Sequence, residues 1–463
     1  MTLLRFAAAY VDEQWITPCY VRLNPEGHLL AISEAAPEGM PVEEHSGYLI
    51  PGLSNGHSHS FQYVMAGMAE HLKLGREADD FWSWREAMYR VANSIDPDQL
   101  LEVSTQFYMA LLEEGYTGVC EFHYLHHDKA GQPYADLTRM GGVLMEAARR
   151  AGIELTLTPV YYHQSSPGVP LRREQRRFYF ADTDAYLLLL EQTSSLARDH
   201  YPEVQIGYGV HSLRAAPLGD IKTVLGTHWT LGPAHLHASE QAEDARIFEV
   251  SYRSRAIDWL YDNISLDTHH HLVHATHIND VEVKKLVATQ ATVVLCSTTE
   301  ANLGDGIFPL PEFHMQGGSW AIGSDSQVNL SPFIEMRMPE LVHRLLLEKR
   351  NILCKGQELD SGKLLFDRVL KGGRSSLGRS TRSFVIGQPF QGIVLDAEHD
   401  RLLARPLSQV LSILVFTGDR SLIAEVWSRG KKRVQQGRHR ERALYRPGFE
   451  RSMLQLMQEL SGI

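Results

Sequence analysis

The stretch LIPGLSNGHSHSFQYVMAGMAE, residues 49–70, decides how this chain of 463 residues is interpreted. It begins as a short apolar run, breaks at Pro51 and Gly52, and then places His57 and His59 two residues apart. Alternate side chains of a strand share one face and lie about 7 Å apart, so both imidazoles can reach one ion. The pattern therefore indicates half of a metal site. Because the chain has 23 histidines, this spacing also arises by chance, and the interpretation depends on finding the other half.

The composition is that of an ordinary globular protein, with 43% hydrophobic and 22% charged residues. The formal net charge is -11 and the pI is about 6.1, so we expect neither nucleic acid nor an anionic membrane as a partner. A small anionic substrate would need locally placed arginines. The N-terminal segment lacks the long apolar region of a signal peptide, and no apolar run is long enough to span a bilayer. We therefore expect a cytoplasmic protein.

The chain has four cysteines and no Cys-x-x-Cys pair. They are Cys19, Cys120, Cys296 and Cys354. Their wide spacing predicts buried small hydrophobic residues in a reducing compartment rather than disulfides or a thiolate zinc site. Any metal must then be bound by histidine and carboxylate.

Short segments rich in β-branched and aromatic residues alternate with helical segments through the middle of the chain. The predicted strands are LIPGLSNGHSH, TGVCEFHY, ELTLTPVYYH, VQIGYGVHS, PAHLHAS, HLVHATH, ATVVLCS and SWAIGSD. The clearest helix has Asp96 as its N-cap and Pro97 in its first turn, and it ends near Glu114. Other helices are predicted over 136–150, 183–199, 240–262 and 280–289. Eight strands that alternate with helices predict an α/β fold of the (β/α)8 barrel type.

Two further groups of strands flank this middle part. TPCYVRLN and HLLAIS lie near the start of the chain, and FVIGQPFQGIVLD and LIAEVWSRGKKRV lie near its end. We predict that they meet in one accessory β domain made of residues 1–50 and 384–445. The barrel then covers residues 51–383, and a C-terminal helix covers 446–463.

Barrel chemistry takes place at the C-terminal ends of the strands, so polar residues there are the first candidates. They are His57, His59, Glu121, His123, Tyr124, His211, Arg214, His237, Glu240, His274, His277 and Asp325. For any single histidine, a structural role is the common explanation. That explanation weakens because strand after strand repeats the pattern.

Three of these strand ends predict distinct roles. His237 is a candidate third metal ligand, and Glu240 is either a proton carrier not bound to the ion or a helix N-terminal carboxylate. Of His274 and His277 we prefer His274, because it directly follows an apolar pair, whereas His277 is expected in the following loop or helix cap. Asp325 either forms a turn or completes the ligand set of a divalent cation.

Taken together, PGLSNGHSHS, HLHASE, VHATH and IGSDS resemble the metal and catalytic motifs of the amidohydrolase superfamily, in particular its deaminase branch. The resemblance spans nearly the whole chain. It implies one divalent metal ion, with zinc expected, surrounded by His57, His59, His237 and Asp325, and it implies a homodimer. Branches with two metals use a carbamylated lysine on the fourth strand, and VQIGYGVHSLRA contains no lysine.

A finer resemblance, carried by NGHSHSFQ, MAGMAE, WSWREAMY, FHYLHHD and GYGVHSLRA, is to the formimidoylglutamate deiminases. It implies hydrolysis of N-formimidoyl-L-glutamate to N-formyl-L-glutamate and ammonia in histidine degradation, with Glu240, His274 and Asp325 as catalytic residues. The implied substrate-binding residues are Gln62, Arg85, Tyr124, His211 and Arg214. Without the resemblance, the two arginines would be taken for structural ion pairs. In an acidic protein, guanidinium groups suit an anionic substrate.

The sequence departs from the family pattern at Gly56, Ser60, Tyr63 and Gln327, and we expect Tyr63 and Gln327 beside the pocket. Two other functions stay open. A related deaminase acting on guanine, another purine or a cyclic amidine would need aromatic stacking and few carboxylate-binding arginines. A non-catalytic scaffold would have lost metal ligands, which this sequence keeps.

Overall fold

The structure, a computed structural model, describes residues 1–72, 81–227 and 232–461. Within these residues the strands form two nine-stranded sheets. One sheet is built from both ends of the chain, and the other is a nearly closed parallel barrel. The predicted fold class, a (β/α)8 barrel with an accessory β sheet formed by both termini, is confirmed.

The first five strands belong to the accessory sheet: β1 (Thr2–Val11), β2 (Gln14–Ile16), β3 (Cys19–Leu23), β4 (Leu29–Ser33) and β5 (Val42–Pro51). The next nine belong to the barrel sheet: β6 (Leu53–Ser58), β7 (Tyr116–His123), β8 (Glu154–Tyr161), β9 (Gln205–Ile206), β10 (Tyr208–Ser212), β11 (Ala234–Ala238), β12 (His270–His274), β13 (Thr292–Leu295) and β14 (Ser319–Ile322). The last four return to the accessory sheet: β15 (Gly392–Leu395), β16 (Ile423–Ser428), β17 (Lys431–Gln435) and β18 (Arg438–His439).

The helices follow the barrel strands and the C-terminal part of the chain. They are α1 (Phe81–Ser94), α2 (Pro97–Glu113), α3 (Arg139–Ala151), α4 (Thr183–His200), α5 (Leu218–Thr227), α6 (Ala242–Tyr252), α7 (Ala256–Asn263), α8 (Asp280–Thr289), α9 (Ser297–Leu303), α10 (Leu310–Met315), α11 (Pro332–Leu347), α12 (Ser361–Ser376), α13 (Leu407–Thr417) and α14 (Arg442–Ser461). Of the helices in the described part of the chain, none combines the length and the apolar character needed to cross a membrane.

The accessory sheet joins the two ends of the chain. β5 pairs in parallel with β1 and antiparallel with β15, so the N-terminal and C-terminal strands share one sheet. The predicted hairpin of β3 and β4 is present. The chain passes from β5 into the barrel at Gly52, where an added Cβ would lie 2.3 Å from Thr117 Oγ1. Glycine is therefore required at this crossing, while the predicted domain boundaries stay a prediction.

The barrel strands run in the order β6, β7, β8, β10, β11, β12, β13 and β14, and all neighbours on this path are parallel. The first and last strands meet through a bridge between Ser58 and Asp325. At this seam the Asp325 amide donates to the His57 carbonyl at 3.1 Å, and the His59 amide donates to the Asp325 carbonyl at 3.3 Å. The seam of the barrel therefore lies at candidate metal ligands.

The predicted helices are largely present, with two differences in extent. α2 begins with the predicted cap, since the Asp96 side chain accepts from the Gln99 amide at 2.8 Å. The single helix predicted over 240–262 is wrong, because α6 stops at Arg253, whose φ of 52° is left-handed. α14 begins at Arg442 rather than at residue 446, and the last two residues of the predicted C-terminal helix lie outside the described residues.

The four cysteines are all free thiols. Cys19, Cys120 and Cys296 are buried, as predicted, whereas Cys354 is half-buried. Burial raises the pKa of Cys19 to about 12 and, in the same way, that of Cys120 to about 12. These two thiols therefore behave as small apolar side chains.

Helix α12 packs against the barrel next to its seam, where it contacts both β6 and β14. Two adjacent glycines allow this close approach. A Cβ added to Gly372 would lie 1.9 Å from the Trp320 carbonyl oxygen, and one added to Gly373 would lie 2.8 Å from the Ser54 carbonyl oxygen. Both neighbours are backbone atoms of barrel strands, so neither can turn away.

Gly372→Ala should destabilise the protein by about 1–3 kcal/mol, because the added methyl group meets a fixed carbonyl. Thermal unfolding followed by circular dichroism should show a lower Tm. Gly219→Ala in α5 is the matched control, since nothing lies within 4 Å of its added methyl group. Alanine should leave that helix equally or more stable, by up to about 1 kcal/mol. An unchanged Tm for Gly372→Ala would contradict the close packing of α12.

Candidate active site

His57 and His59 stand at the end of β6, on either side of Ser58. Because side chains alternate along a strand, both imidazoles point into the barrel mouth. His57 is fully buried and His59 is 3% exposed. Their Nε2 atoms lie 3.2 Å apart. The predicted half of a metal site is therefore formed by two converging ring nitrogens.

His237, at the end of β11, and Asp325, just after β14, supply the other half. His237 Nε2 lies 3.0 Å from His57 Nε2. Asp325 Oδ1 lies 3.4 Å from His57 Nε2 and 3.2 Å from His59 Nε2. One ligand atom from each of these four buried residues lies within 4.8 Å of the others. The ends of three strands, β6, β11 and β14, thus bring four candidate ligand atoms to one point.

The chemistry of this cluster fits a divalent cation. Burial lowers the pKa of His57 to about 3 and holds that of His237 well below its usual range, so both imidazoles are neutral. His59 Nδ1 lies 2.9 Å from the Phe122 carbonyl oxygen, which accepts its hydrogen and leaves the Nε2 lone pair facing the cluster.

Asp325 supplies the negative charge of the cluster. Burial opposes its ionisation, but the close imidazoles of His57, His59 and His274 outweigh burial and hold its pKa well below the usual range. Neutral imidazole nitrogens and a carboxylate oxygen are common protein ligands of zinc and similar ions. A cation between these histidine nitrogens would be bound by their lone pairs.

His274, the last residue of β12, stands beside this cluster and is surrounded by carboxylates. Its Nε2 lies 3.7 Å from Glu240 Oε1 and 3.8 Å from Asp325 Oδ2, and its Nδ1 lies 3.2 Å from Glu300 Oε1. Burial alone would lower the pKa of His274, but the three carboxylates outweigh burial and raise the pKa to about 10. His274 is therefore a charged hydrogen-bond donor that faces the cluster.

Glu240 does not act as a helix N-terminal carboxylate. α6 begins two residues later, with Gln241 as its N-cap residue. The Glu240 side chain instead faces His274 and lines the cavity above the cluster. Burial raises the pKa of Glu240, which favours the form that holds a proton.

One cavity covers the cluster and contains all five predicted substrate-binding residues. These are Gln62, Arg85, Tyr124, His211 and Arg214. The cavity wall also includes residues that the sequence analysis did not select. These are Phe81, Trp84, Met88, Tyr89, Tyr162, Phe178 and Leu303. Three of the four predicted metal ligands, His59, His237 and Asp325, therefore line the same cavity as the predicted substrate-binding residues.

The two arginines of the cavity are buried rather than part of the surface. Arg85 is 4% exposed and Arg214 is 6% exposed. Arg214 donates from Nε to Asp244 Oδ2 at 2.9 Å and from Nη1 to the Ser165 carbonyl oxygen at 3.3 Å, which fixes its orientation. Burial and the neighbouring Arg214 lower the pKa of Arg85. An anion bound between the two guanidinium groups would relieve their repulsion.

Three polar side chains, Gln62, Tyr124 and His211, complete the predicted set. Gln62 donates to the Tyr124 hydroxyl at 2.9 Å. The His211 ring packs 5.2 Å from that of Tyr124 and 4.9 Å from that of His237. Burial holds the pKa of His211 well below its usual range, so its imidazole is neutral. These residues connect the histidine and aspartate cluster to the arginine end of the cavity.

Tyr63 and Gln327, which we expect beside the pocket, are not part of the cavity lining. Tyr63 packs its ring 5.5 Å from that of Phe107, away from the cluster. Gln327 donates to the Asp325 carbonyl oxygen at 2.6 Å and to the His59 carbonyl oxygen at 3.2 Å. Gln327 therefore holds the two sides of the barrel seam together from behind the ligands.

The other two departures also lie behind the ligands. The Ser60 amide donates to Glu121 Oε1 at 2.7 Å, and the Ser58 hydroxyl donates to Glu121 Oε2 at 3.2 Å. A Cβ added at Gly56 would lie 3.0 Å from the Ile322 carbonyl oxygen. Glu121 thus supports the loop that carries His57 and His59 rather than facing the cavity.

Two of the histidines predicted at the barrel rim, His123 and His277, do not reach the candidate active site. The His123 ring packs 4.7 Å from that of His126 and lies outside the cavity. His277 lies in the loop before α8, as expected, where its Nε2 is 2.5 Å from the Asp305 carbonyl oxygen. Both histidines therefore make contacts outside the candidate active site.

The sequence analysis missed Glu300, Tyr162 and Tyr89. Tyr162 directly follows β8, and Glu300 lies five residues after β13, so the strand-end rule could have selected both. Tyr89 belongs to α1, which lies outside the repeating pattern of strand ends. Only the packing of α1 over the barrel mouth brings Tyr89 to the cavity.

Comparison with known proteins agrees with this geometry. The chain matches the Amidohydrolase family over residues 48–359, which include the whole candidate metal cluster. The formimidoylglutamate deiminase of Pseudomonas aeruginosa is 38% identical over 435 residues, which cover 93% of this chain and 94% of that protein.

Two crystal structures show the same architecture. An amidohydrolase from Brucella melitensis superposes with a TM-score of 0.92 and 35% identity, covering 99% of this chain and 100% of that chain. An adenosine deaminase from Xanthomonas campestris with bound zinc has a TM-score of 0.80 and 19% identity over 99% of this chain and 98% of its own, which shows the fold alone. The chain therefore belongs to the amidohydrolase family, and it is similar to formimidoylglutamate deiminase along nearly its whole length.

Proposed function

We propose that the protein hydrolyses N-formimidoyl-L-glutamate to N-formyl-L-glutamate and ammonia, a reaction of histidine degradation. The observation that carries the proposal is that one cavity joins the histidine and aspartate cluster to two buried guanidinium groups. The cluster suits hydrolysis of the amidine, and the guanidinium groups suit the carboxylates at the other end of the substrate. The similarity to a formimidoylglutamate deiminase supports the same substrate.

His57, His59, His237 and Asp325 are the proposed ligands of one divalent metal ion, with zinc as the proposed metal. The neutral imidazoles and the ionised carboxylate support this assignment, and the adenosine deaminase of the same fold carries zinc. The chemistry that such an ion supplies is activation of water, because coordination lowers the pKa of water from about 15.7 to about 7.

Asp325 and His274 act on the attacking water molecule. Asp325 orients the water molecule and takes its first proton as the oxygen attacks the formimino carbon. His274 donates from Nε2, 3.8 Å from Asp325 Oδ2, and stabilises the negative charge that develops on the oxygen. The attack leaves one tetrahedral carbon that bears the new oxygen and both nitrogens.

Glu240 acts on the leaving nitrogen. Its carboxyl group lies 3.7 Å from His274 Nε2, and burial favours its protonated form. Glu240 gives its proton to the former imino nitrogen, and Asp325 gives the same nitrogen the proton that it took from water. Glu240 regains a proton from the new hydroxyl group, so the reaction consumes the two protons of one water molecule. The nitrogen leaves as ammonia, and the carbon becomes the formyl carbonyl.

The cavity residues bind the glutamate part of the substrate. Arg85 and Arg214 pair with carboxylate groups, while Gln62, Tyr124 and His211 position the chain between the carboxylates and the reacting carbon. Binding at this remote end serves orientation, because it holds the formimino carbon at the attacking oxygen.

The second candidate function is deamination of guanine, another purine or a cyclic amidine. The aromatic wall of the cavity, which includes Trp84 and Phe178, is compatible with a ring. Two buried guanidinium groups in one cavity favour an anionic substrate instead, because a carboxylate can pair with them and a neutral purine cannot. A non-catalytic scaffold is disfavoured by the complete ligand set.

We further propose a cytoplasmic homodimer. The free cysteine thiols support a reducing compartment. The homodimer follows from the family resemblance, and light scattering of the purified protein, whose chain mass is 52.3 kDa, measures it directly.

Purified protein loaded with zinc should release ammonia from N-formimidoyl-L-glutamate and not from guanine. Removing the metal with a chelator should abolish this activity, and adding zinc back should restore it, because the cluster has no other means to activate water. A coupled ammonia assay measures both substrates, and metal analysis gives the zinc content. Faster ammonia release from guanine would favour the second candidate.

Glu240→Gln should lower kcat by about 10²–10⁴-fold with unchanged metal content, because an amide cannot carry the proton. Glu243→Gln is the matched control. Glu243 is an exposed carboxylate of the first turn of α6, paired with Arg246, and its replacement should leave kcat unchanged. Normal turnover by Glu240→Gln would exclude the proton-carrier role.

Arg214→Ala should raise KM for N-formimidoyl-L-glutamate by about 10–100-fold, because a buried charged hydrogen-bond donor is lost. Steady-state kinetics measures the change, and Arg246→Ala serves as the exposed control. If KM stayed the same, Arg214 would not bind the substrate carboxylate.

A further inference from the structure

Gln175 lies behind the cavity wall and is fully buried. Its Oε1 accepts from the Arg172 backbone amide at 2.9 Å. A backbone amide can only donate, so this contact determines which end of the Gln175 amide is oxygen and which is nitrogen. The orientation of the side-chain amide therefore follows from a fixed neighbour.

The amide nitrogen of Gln175 faces two tyrosine hydroxyl groups. Nε2 lies 3.0 Å from the Tyr89 hydroxyl oxygen and 2.7 Å from the Tyr162 hydroxyl oxygen. The nitrogen carries two hydrogens, and each one serves one tyrosine. Both hydroxyl oxygens are therefore acceptors toward Gln175.

This arrangement decides where the hydroxyl protons go. A tyrosine hydroxyl that accepts from Gln175 must give its own hydrogen to another acceptor. In the described part of the chain, Gln175 is the one hydrogen-bond partner of both hydroxyls. Tyr89 is 6% exposed and Tyr162 is 2% exposed, and both line the cavity. Two buried donors thus lack an acceptor that a ligand in the cavity would supply.

The two hydroxyls belong to the cationic end of the cavity. The guanidinium carbon of Arg85 lies 5.3 Å above the Tyr89 ring, and the Tyr162 ring packs 4.7 Å from that of His211. Arg85 and Arg214 both lie close enough to act on the hydroxyl of Tyr89. Two cations and two hydroxyl donors therefore surround the same part of the cavity.

We propose that Tyr89 and Tyr162 donate their hydroxyl hydrogens to a carboxylate of the substrate, and that Gln175 is a positioning residue that fixes the direction of both donors. The inference rests on the proposed function and extends it. Because Gln175 holds both hydroxyls as donors, this arrangement favours a carboxylate, which accepts, over an ammonium group, which can only donate.

Tyr89→Phe and Tyr162→Phe should each raise KM for N-formimidoyl-L-glutamate about 10–100-fold and change kcat less than about threefold. KM should change more than kcat because the hydroxyls bind the part of the substrate that does not react. Tyr116→Phe is the matched control, since its buried hydroxyl has no partner in the described chain and lies at the opposite end of the barrel. Its KM should stay within about twofold of the unmodified protein's.

Gln175→Met tests the positioning role. It should raise KM about threefold to tenfold, because the hydroxyls lose the donor that orients them. In the double variant Tyr89→Phe with Tyr162→Phe, the same replacement should have no further effect on KM. A purely structural role for Gln175 would instead lower kcat and Tm in both backgrounds. If Gln175→Met does not fold, the two tyrosine variants decide the proposal.

Unchanged KM in both tyrosine variants, or loss of kcat without change in KM, would overturn the inference. Its failure can be told apart from failure of the proposed function. If the unmodified protein does not act on N-formimidoyl-L-glutamate, calorimetry with glutarate as the probe still tests the site. Glutarate binding that weakens in both tyrosine variants would support the donor site, and equal binding would overturn it.

Discussion

Closure of the barrel at the seam between β6 and β14 is the constraint on which the rest of this structure depends. The backbone of Asp325 bonds to His57 and His59 across the seam, so the contact that closes the barrel also assembles the ligand cluster. Asp325 and His274 hold left-handed backbone angles, with φ of 45° and 70°. Such conformations cost about 1–3 kcal/mol each and persist only where the surrounding structure enforces them. Barrel closure supplies that enforcement.

From this seam outward, the cavity divides into two electrostatic halves. Carboxylates and histidines, among them Glu240, His274 and Asp325, gather at the cluster. Guanidinium and hydroxyl donors gather at the opposite wall around Arg85 and Arg214. The two halves belong to one cavity, so an amidine at one end and carboxylates at the other can be held in a single orientation. That orientation is the main contribution of the fold to the chemistry.

Strand-end reasoning found the cluster because it depends on local pattern. Short strands with polar residues at or just after their C-terminal ends mark the barrel rim, and His237 and Asp325 lie where that rule places them. It failed where side-chain direction depends on packing between distant elements. Tyr63 follows a metal histidine by four residues yet packs against α2, and the helix predicted over 240–262 breaks at Arg253 because one residue adopts a left-handed conformation.

The sequence by itself determined the class of fold, the identity of the candidate metal ligands and the anionic character of the substrate. These properties follow from strand and helix periodicity, from residue type at strand ends, and from motifs shared with a family. Only the tertiary structure decided that Glu240 faces His274, that Arg214 is oriented by Asp244, and that Tyr89 and Tyr162 turn their hydroxyls to one amide. Those facts depend on distances between residues that are far apart in the chain. The local sequence pattern does not determine such distances, because they are set only when the barrel closes.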